Sequence, residues 1–267
     1  MEILIRPDAQ AATDLVVQLL NARLVAKPDL VLGCATGRTM ERLYGQLARL
    51  HAETGLDFSQ CKTFNLDEYV GLAADDPRSY HAYMHEHLFR HVNIQPENTF
   101  LPAGMAADLK QEATDYEGRI AAAGGIDVQL LGLGESGHIG FNEPLSSLMS
   151  RTRDKALTPT TRAQNAEFFD NNPDNVPPRA LTMGVGTILE AREIIMLVLG
   201  ANKANMLANA TEGPITAMIS ATALQLHANC KVIVDEAAAE KLQGQAYYRW
   251  IFDNEPEWQA FHHDNTQ

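Results

Sequence analysis

The chain has 267 residues, of which 45% are hydrophobic, so it can bury a substantial core and wholesale disorder is excluded. Its formal net charge of −13 excludes nucleic acid and anionic membranes as expected partners, because both would repel it. Its 3 cysteines form no CxxC pair, the start of the chain does not resemble a signal peptide, and no apolar run approaches the ~20 residues of a membrane span, so we expect a cytoplasmic protein.

Short apolar runs alternate with segments of helical periodicity along the chain. The predicted strands are 3–5, 30–33, 63–66, 126–131, 194–199 and 232–234. The predicted helices are 9–25, 40–51, 79–91, 107–123, one that begins at Lys203, and 215–226. This alternation predicts an α/β fold with three layers, a mostly parallel twisted sheet with helices on both faces, of Rossmann-like type. No shift in composition marks a boundary, so we expect a single domain over residues 1–267.

The segment 132–144 follows a predicted buried strand and is rich in glycine. His138 can exchange protons near neutral pH, and Glu143 could orient it or share its charge. The alternative is a tight glycine turn that holds a hydrogen-bonded core histidine. The glycines of 132–137 also match the dinucleotide fingerprint GxGxxG, but the sequence that follows resists helix formation, which argues against a nucleotide site.

Small residues, hydroxyls and one arginine follow the second predicted strand. Thr36, Gly37, Arg38 and Thr39 could form a phosphate cradle from backbone N–H groups at a helix N-terminus, hydroxyls and a guanidinium. The alternative is a simple helix start with Thr39 as N-cap. Lys203 lies at the start of a later helix and could bind an anion in the same way. A cation at a helix N-terminus is unfavourable for the helix dipole, and a bound anion would relieve this conflict. The alternative is a solvated surface lysine.

Two adjacent carboxylates, Asp67 and Glu68, follow the third predicted strand. Because side chains alternate along an extended chain, we expect only one of them to face a cleft, where it could remove a proton from carbon. An Asx turn with one surface acid is the alternative.

A group of histidines at 81–91 has the i,i+4 spacing that metals can use on a helix. No HExxH motif is present, and the neighbouring aromatic residues indicate packing, so we expect no metal. The polar, proline-rich stretch after Pro144 is the best candidate for a mobile lid, with the lid itself within 156–180, and an ordinary surface excursion is the alternative.

A resemblance to a known family rests on several blocks of sequence: 63–72, 79–80, 137–144, 150–153, 180–187 and 223–227. In sequence and order they are similar to the glucosamine/galactosamine-6-phosphate isomerase family, which also contains phosphogluconolactonases. The resemblance implies conversion of glucosamine 6-phosphate and water to fructose 6-phosphate and ammonia, in amino-sugar catabolism. It also implies that neither a metal nor an organic cofactor takes part.

The resemblance also implies roles for individual residues. Asp67 matches the base that takes the proton from sugar C2 and delivers it to C1. His138 matches the residue that assists opening of the pyranose ring, with Glu143 in relay. The positions that match the family's phosphate site are Thr36, Gly37, Thr39 and Lys203.

Two positions depart from the best-known relatives. Ser136 stands where they have an aspartate in the relay, and a serine should hold a His138 cation less strongly. Glu167 stands where they have a lid arginine that reaches the phosphate. Our hypothesis is that Arg38, which those relatives lack, replaces that cation.

A second set of residues resembles the regulatory site of allosteric family members. Ser146, Ser147, Arg153 and Lys155 match positions that bind N-acetylglucosamine 6-phosphate between subunits. Two cations and two hydroxyls suit an anion. This match predicts a homo-oligomer, with a hexamer as one form, unless these residues merely brace the loop after Glu143.

Three other functions are compatible with parts of the sequence. A phosphogluconolactonase would need no C2 base, so Asp67 argues against it. A non-catalytic sugar-phosphate sensor would carry a DNA-binding domain, for which the chain has neither room before Leu30 nor a basic segment. A deaminase for the galactosamine epimer is not separated by sequence, because the choice at C4 depends on pocket shape.

Overall fold

A computed structural model of the chain describes residues 1–262. Its strands are β1 (Glu2–Arg6), β2 (Val31–Cys34), β3 (Lys62–Asn65), β4 (Asp67–Tyr69), β5 (Thr99–Phe100), β6 (Val128–Leu131), β7 (Arg153–Ala156), β8 (Arg179–Thr182), β9 (Glu193–Val198) and β10 (Cys230–Asp235). Its α-helices are α1 (Ala9–Ala26), α2 (Arg38–Thr54), α3 (Tyr80–His87), α4 (Leu109–Ala122), α5 (Pro159–Asn165), α6 (Val185–Leu189), α7 (Ala204–Thr211), α8 (Glu236–Ala239) and α9 (Gln245–Asn254). Short 3₁₀ segments cover Phe89–His91, Pro96–Asn98, Ala166–Phe168, Pro173–Asn175, Ala201–Lys203, Ser220–Leu226 and Pro256–Phe261.

The main sheet is parallel and has seven strands in the order β1-β10-β9-β6-β2-β3-β5. Crossovers between parallel strands are right-handed, so those that run in opposite directions along the sheet lie on opposite faces. The β1–α1–β2 and β2–α2–β3 crossovers run one way, and α1 and α2 accordingly touch each other. The crossovers from β5 to β6 and from β9 to β10 run the other way. The predicted α/β, Rossmann-like fold is confirmed.

The direction of the chain reverses between the neighbouring strands β2 and β6. From β2 the chain moves to β3, whereas from β6 it moves to β9 on the other side. Ligands of open α/β sheets bind in the crevice at the carboxyl ends of the strands at such a switch point. Here those ends are Cys34 and Leu131, directly before the two loops singled out in the sequence.

A second, antiparallel sheet of order β4-β8-β7 was not predicted. Its strands have three or four residues each, and Arg153–Ala156 reads RDKA, without the apolar alternation that indicates a strand. In this sheet Asp67 pairs with Thr182, and Thr182 pairs with Arg153. The small sheet therefore holds Asp67 in a fixed register beside the main sheet.

The predicted helix over 215–226 is wrong. The segment forms a short bridge between Thr216 and Ile219, followed by the 3₁₀ turns of Ser220–Leu226. The Thr222 hydroxyl accepts a hydrogen bond from the Thr216 N–H at 2.9 Å and donates to the Ile219 carbonyl at 2.7 Å. Such side-chain bonds compete with the backbone bonds of an α-helix. The helix predicted over 79–91 ends at His87, and its last residues form a 3₁₀ turn.

The segment 156–180 is folded and packs on its own hydrophobic cluster. That cluster is separate from the main core around the parallel sheet and contains Tyr69, Leu72, Phe141, Leu157, Ala166, Phe169, Val176 and Ala180. The mobility predicted for this lid segment stays a prediction. The single domain predicted over 1–267 also stays a prediction, and its last residues lie outside the described part. Across residues 1–262 we find no helix of the length and hydropathy needed to cross a bilayer.

Candidate active site

A cleft of about 660 Å³ lies at the carboxyl edge of the parallel sheet. This volume is within the range of small-molecule sites. Its walls come from the loops after β2, β3, β6 and β9, from the start of α3, and from the lid segment. Among the predicted residues, it brings together Thr36, Gly37, Arg38, Thr39, Asp67, His138 and Lys203.

Of the adjacent carboxylates, only Asp67 lines the cleft. Glu68 points the other way and accepts hydrogen bonds from the backbone N–H groups of Tyr80 and His81, each at 3.1 Å. It also bonds the Nδ1 atom of His81 at 3.0 Å. Glu68 thus satisfies free N–H groups at the start of α3, which explains why a strand carries two acids in a row. The predicted alternation is confirmed, and the Asx turn is not formed.

Asp67 is a buried carboxyl group with unusual protonation behaviour. Burial, with the neighbouring Glu68 carboxylate, raises the pKa of Asp67 from 3.8 to about 8, against the smaller opposing effect of the Phe141 N–H. A carboxyl group with this pKa can both accept and release a proton near neutral pH. These are the properties of a general acid–base group.

The His138 ring is held by Ser136 and by the backbone of Gly134. The Oγ atom of Ser136 lies 2.6 Å from Nδ1, which leaves Nε2 for a ligand. The ring packs so closely on Gly134 that a Cβ atom there would lie 2.3 Å from ring atoms. Only glycine allows this approach, which gives the glycine-rich loop a structural reason. The alternative of a core histidine does not hold, because the ring lines the cleft.

Glu143 is buried behind His138, away from the cleft. Its Oε1 accepts a hydrogen bond from the Thr158 N–H at 2.9 Å. Its Oε2 lies 3.8 Å from His138 Nδ1 and has no hydrogen-bond partner among the described residues. Burial lowers the pKa of His138, and Glu143 opposes this effect. His138 is therefore a neutral imidazole at neutral pH, with a carboxylate within reach if it gains a proton.

The loop after β2 presents the amino end of α2 to the cleft. The helix begins at Arg38 with Gly37 as N-cap, so Thr39 is not the N-cap. Gly37 has φ = 107°, which favours glycine, and its carbonyl accepts a hydrogen bond from the Tyr83 hydroxyl at 2.9 Å. Within residues 1–262, no side chain caps the first N–H groups of this helix. The N–H groups of Arg38 and Thr39 are free to bind an anion, whereas that of Met40 donates to the Gly37 carbonyl at 2.8 Å.

Lys203 approaches the same cleft from the other half of the sheet. It follows β9, sits as N-cap of α7, and is half-buried. Burial lowers the pKa of Lys203, while Glu135 opposes that effect. Lys203 is therefore not a solvated surface lysine, which was the alternative considered from the sequence. A bound anion would stabilise this cation both against its burial and against the helix dipole.

The lid segment reaches the mouth of the cleft and contacts the loop after β2 and the loop after β6. Glu167 forms an ion pair with Arg38, and Gln164 donates a hydrogen bond to Glu135 at 2.7 Å. Phe169 closes the floor, against Tyr69 at a ring-centroid distance of 5.3 Å. Sequence reasoning did not identify Gln164 or Phe169 as lining residues, because nothing local in the sequence shows which turn of a loop will fold over a distant cleft.

The four residues matched to a regulatory site lie outside this cleft. Ser146 is buried, and its Oγ has no hydrogen-bond partner among the described residues. Ser147 accepts a hydrogen bond from the Met149 N–H at 3.2 Å. Arg153 donates to the Asn142 side chain at 2.7 Å, and Lys155 lies two residues further along the same strand. A regulatory role for these residues stays a prediction.

Two alternatives from the sequence find no support in the described part of the chain. No group of three or more histidine, cysteine or acidic residues within 1–262 is arranged to hold a metal ion. Among the same residues, β6 is followed by loop and strand until α5 begins at Pro159, so the glycines of 132–137 do not open a helix. Dinucleotide binding at this loop is therefore not supported.

Comparison with known families agrees with this geometry. Residues 8–232 match the family model described as Glucosamine-6-phosphate isomerases/6-phosphogluconolactonase. The chain belongs to this family. Among family members, glucosamine-6-phosphate deaminase of Arthrobacter sp. (strain FB24) is 48% identical over 97% of this chain and 100% of its own length. That of Streptomyces coelicolor is 44% identical over 97% of this chain and 100% of its own length.

Solved structures of family members share the fold. A monomeric glucosamine-6-phosphate deaminase superposes with a TM-score of 0.88 at 42% identity, over 90% of this chain and 100% of its own. The 6-phosphogluconolactonase of Trypanosoma brucei reaches a TM-score of 0.72 at 22% identity, over 90% of this chain and 98% of its own. The second likeness concerns the fold alone.

Proposed function

We propose that this protein is a glucosamine-6-phosphate deaminase, which converts glucosamine 6-phosphate and water to fructose 6-phosphate and ammonia. The observation that carries the proposal is that one cleft holds the buried carboxyl group of Asp67, the neutral imidazole of His138, and a group of cations that can bind an anion. Sequence identities of 48% and 44% to two glucosamine-6-phosphate deaminases, each over 97% of this chain, support the same activity.

The chemistry requires one proton to move between neighbouring carbons. In the open-chain sugar, the Asp67 carboxylate takes the proton from C2, and the electrons form a C1–C2 double bond while the electron pair of the C1 carbonyl moves to O1. The C2 ammonium group passes a proton to O1, which gives an enolamine. The same carboxyl group returns the proton to C1, which leaves an imine at C2. Water adds to that imine and ammonia leaves, giving the ketone. A pKa near neutrality suits both proton transfers.

His138 is suited to the opening of the sugar ring, which precedes these steps. Opening removes a proton from the O1 hydroxyl and places one on the ring oxygen. A neutral imidazole whose Nδ1 contacts Ser136 has Nε2 free for this exchange. A proton taken up by His138 would be stabilised by the unpartnered Oε2 of Glu143. Glu143 therefore acts through His138 in this proposal and touches no substrate.

The phosphate group fits the amino end of α2. The N–H groups after Gly37, the hydroxyls of Thr36 and Thr39, and the guanidinium of Arg38 line that end of the cleft. Lys203 adds an ammonium group from β9's loop. This arrangement gives a chain of net charge −13 a local positive site for an anionic substrate.

The decisive experiment measures both products. The purified protein is incubated with glucosamine 6-phosphate, and ammonia and fructose 6-phosphate are followed in parallel, with Asp67→Asn as control. We expect equal release of both products, lost in the control. Ammonia without the ketose, or an Asp67→Asn variant as active as the wild type, would refute the proposal. Galactosamine 6-phosphate in the same assay tests the epimeric alternative, and ligand binding without turnover would favour a sensor.

We further propose that the reaction belongs to N-acetylglucosamine catabolism in the cytoplasm and needs no metal or organic cofactor. We also propose that the protein forms a homo-oligomer and that N-acetylglucosamine 6-phosphate regulates it. The bond from Arg153 to Asn142 supports regulation, because Asn142 lies beside Glu143. Sedimentation velocity and kinetics with and without N-acetylglucosamine 6-phosphate test it. One of the solved relatives is monomeric. If this protein is also a monomer and its kinetics do not change with N-acetylglucosamine 6-phosphate, regulation between subunits is refuted.

A further inference from the structure

The mouth of the cleft carries an ion pair that joins two distant parts of the chain. Arg38 belongs to the loop expected to bind phosphate, and Glu167 belongs to the lid segment. The Arg38 side chain is 74% exposed and the Glu167 side chain 33%. Both residues line the cleft. The guanidinium that faces an incoming anion is thus already paired with a carboxylate of the protein itself.

A second contact ties the same lid segment to the opposite rim. Gln164 donates a hydrogen bond to Glu135 at 2.7 Å, and Glu135 in turn opposes the lowering of the Lys203 pKa. The lid is therefore attached on one side to the loop after β2 and on the other side to the loop that carries His138. Each cation of the expected phosphate site has a rim carboxylate nearby.

We propose that Glu167 competes with the phosphate group of the substrate for Arg38 and thereby sets the affinity of the cleft. This inference deepens the proposed function and rests on its phosphate site. A phosphate dianion carries more charge than a carboxylate and can also bind the N–H groups at the start of α2, so it displaces Glu167. Displacement removes one of the two polar contacts described above, those of Glu167 and Gln164, and leaves the lid packed on its hydrophobic cluster. This couples substrate binding to a local loosening of the lid at the mouth of the cleft.

The size of the effect follows from the exposure of the pair. Exposed ion pairs contribute little because water screens both charges, so displacing Glu167 weakens phosphate binding only modestly. Removing its charge should tighten binding by about two- to fivefold. The effect should shrink as salt is added, because the competing charges are then screened.

The test uses Glu167→Gln, which keeps the shape of the side chain and removes its charge. The matched control is Asp174→Asn, in the same segment. Asp174 pairs with Arg162 at 3.6 Å, is 92% exposed, and does not line the cleft. Binding of inorganic phosphate is measured by calorimetry at low salt for the wild type, both variants, Arg38→Gln and the Arg38→Gln/Glu167→Gln double variant. The KM for glucosamine 6-phosphate is measured on the same set.

The expected result is tighter phosphate binding and a lower KM in Glu167→Gln, no change in Asp174→Asn, and loss of the gain when Arg38 is replaced. Equal affinity in Glu167→Gln and Asp174→Asn would overturn the inference. An equal gain in phosphate affinity from Glu167→Gln with and without Arg38 would also overturn it, since Glu167 would then act by long-range repulsion of the phosphate and not through Arg38. If no variant binds phosphate, the inference is also overturned. Phosphate binding needs no turnover, so failure of deamination alone refutes only the proposed reaction.

Discussion

Ser136 Oγ lies 2.6 Å from Nδ1 of His138, closer than the Oε2 of Glu143, which is 3.8 Å away. The first neighbour of the imidazole is therefore a neutral hydroxyl, and the carboxylate stands behind it. Burial lowers the pKa of His138, and a hydroxyl offers no charge to reverse that effect.

We predict that Ser136→Asp raises the pKa of His138. A carboxylate in contact with Nδ1 favours the imidazolium, whereas Ser136→Ala changes no charge and should leave the pKa low. Titration of the His138 ring signals by NMR, on the wild type and both variants, measures the shift. If the aspartate and alanine variants titrate alike, the serine does not determine the charge of this histidine.

Asp67 should govern the pH dependence of kcat/KM. The reaction needs the carboxylate, so kcat/KM should rise with pH and level off above a pKa of about 8. Asp67→Asn should lower kcat by about 10²- to 10⁴-fold, the usual contribution of a general acid–base group. The measurement is the pH profile of kcat/KM at low substrate concentration. A profile that is flat through this range would contradict the assignment.

The charge of Glu68 is one cause of the raised pKa of Asp67. Glu68→Gln removes that charge, so the pKa of Asp67 should fall and the acid limb of kcat/KM should move to lower pH. Because Glu68 also bonds the start of α3, we expect a lower melting temperature in the same variant. A destabilised protein with an unmoved acid limb would show that Glu68 serves structure alone.

Asp67 should also make the fold less stable as pH rises. Its pKa is about 8 in the folded state against 3.8 for an exposed aspartate, as in the unfolded chain, so between these values the folded state holds a proton that the unfolded state has lost. Stability therefore falls as pH increases through this interval and stays lower above it. Asp67→Asn has no such slope and should exceed the wild type at alkaline pH by on the order of a few kcal/mol.

Urea denaturation at acidic and alkaline pH measures this difference in the free energy of unfolding. The two proteins should be about equally stable at acidic pH and diverge at alkaline pH, where the inactive variant is the more stable one. A constant difference at all pH values would show that the carboxyl group is not held at a raised pKa.

Six of the seven strands of the parallel sheet were predictable because they are short runs bounded by turns, whereas the two-residue strand β5 was missed. The carboxyl edge was expected to hold the site because open α/β sheets bind their ligands there. Alternation along the chain predicted that only one of Asp67 and Glu68 would face the cleft, and the family resemblance matched Asp67 to the base. The second sheet was not predictable, since Arg153–Ala156 is polar and is held only by its partners. The pairing of Arg38 with Glu167 joins residues far apart in sequence, and no local pattern encodes it.

Gly134 and Gly132 offer a final test, because both line the cleft but a side chain would meet very different surroundings at each. A Cβ atom at Gly134 would lie 2.3 Å from the His138 ring, whereas one at Gly132 would meet only the end of Met40 at 4.0 Å. Gly134→Ala should therefore displace the imidazole and lower kcat/KM by about 10²-fold, as misplacement of a reacting group by about 1 Å can do. Gly132→Ala should stay near the wild type. If both variants lose activity equally, loop flexibility matters more than the position of the ring; if neither does, His138 is not required where the structure holds it.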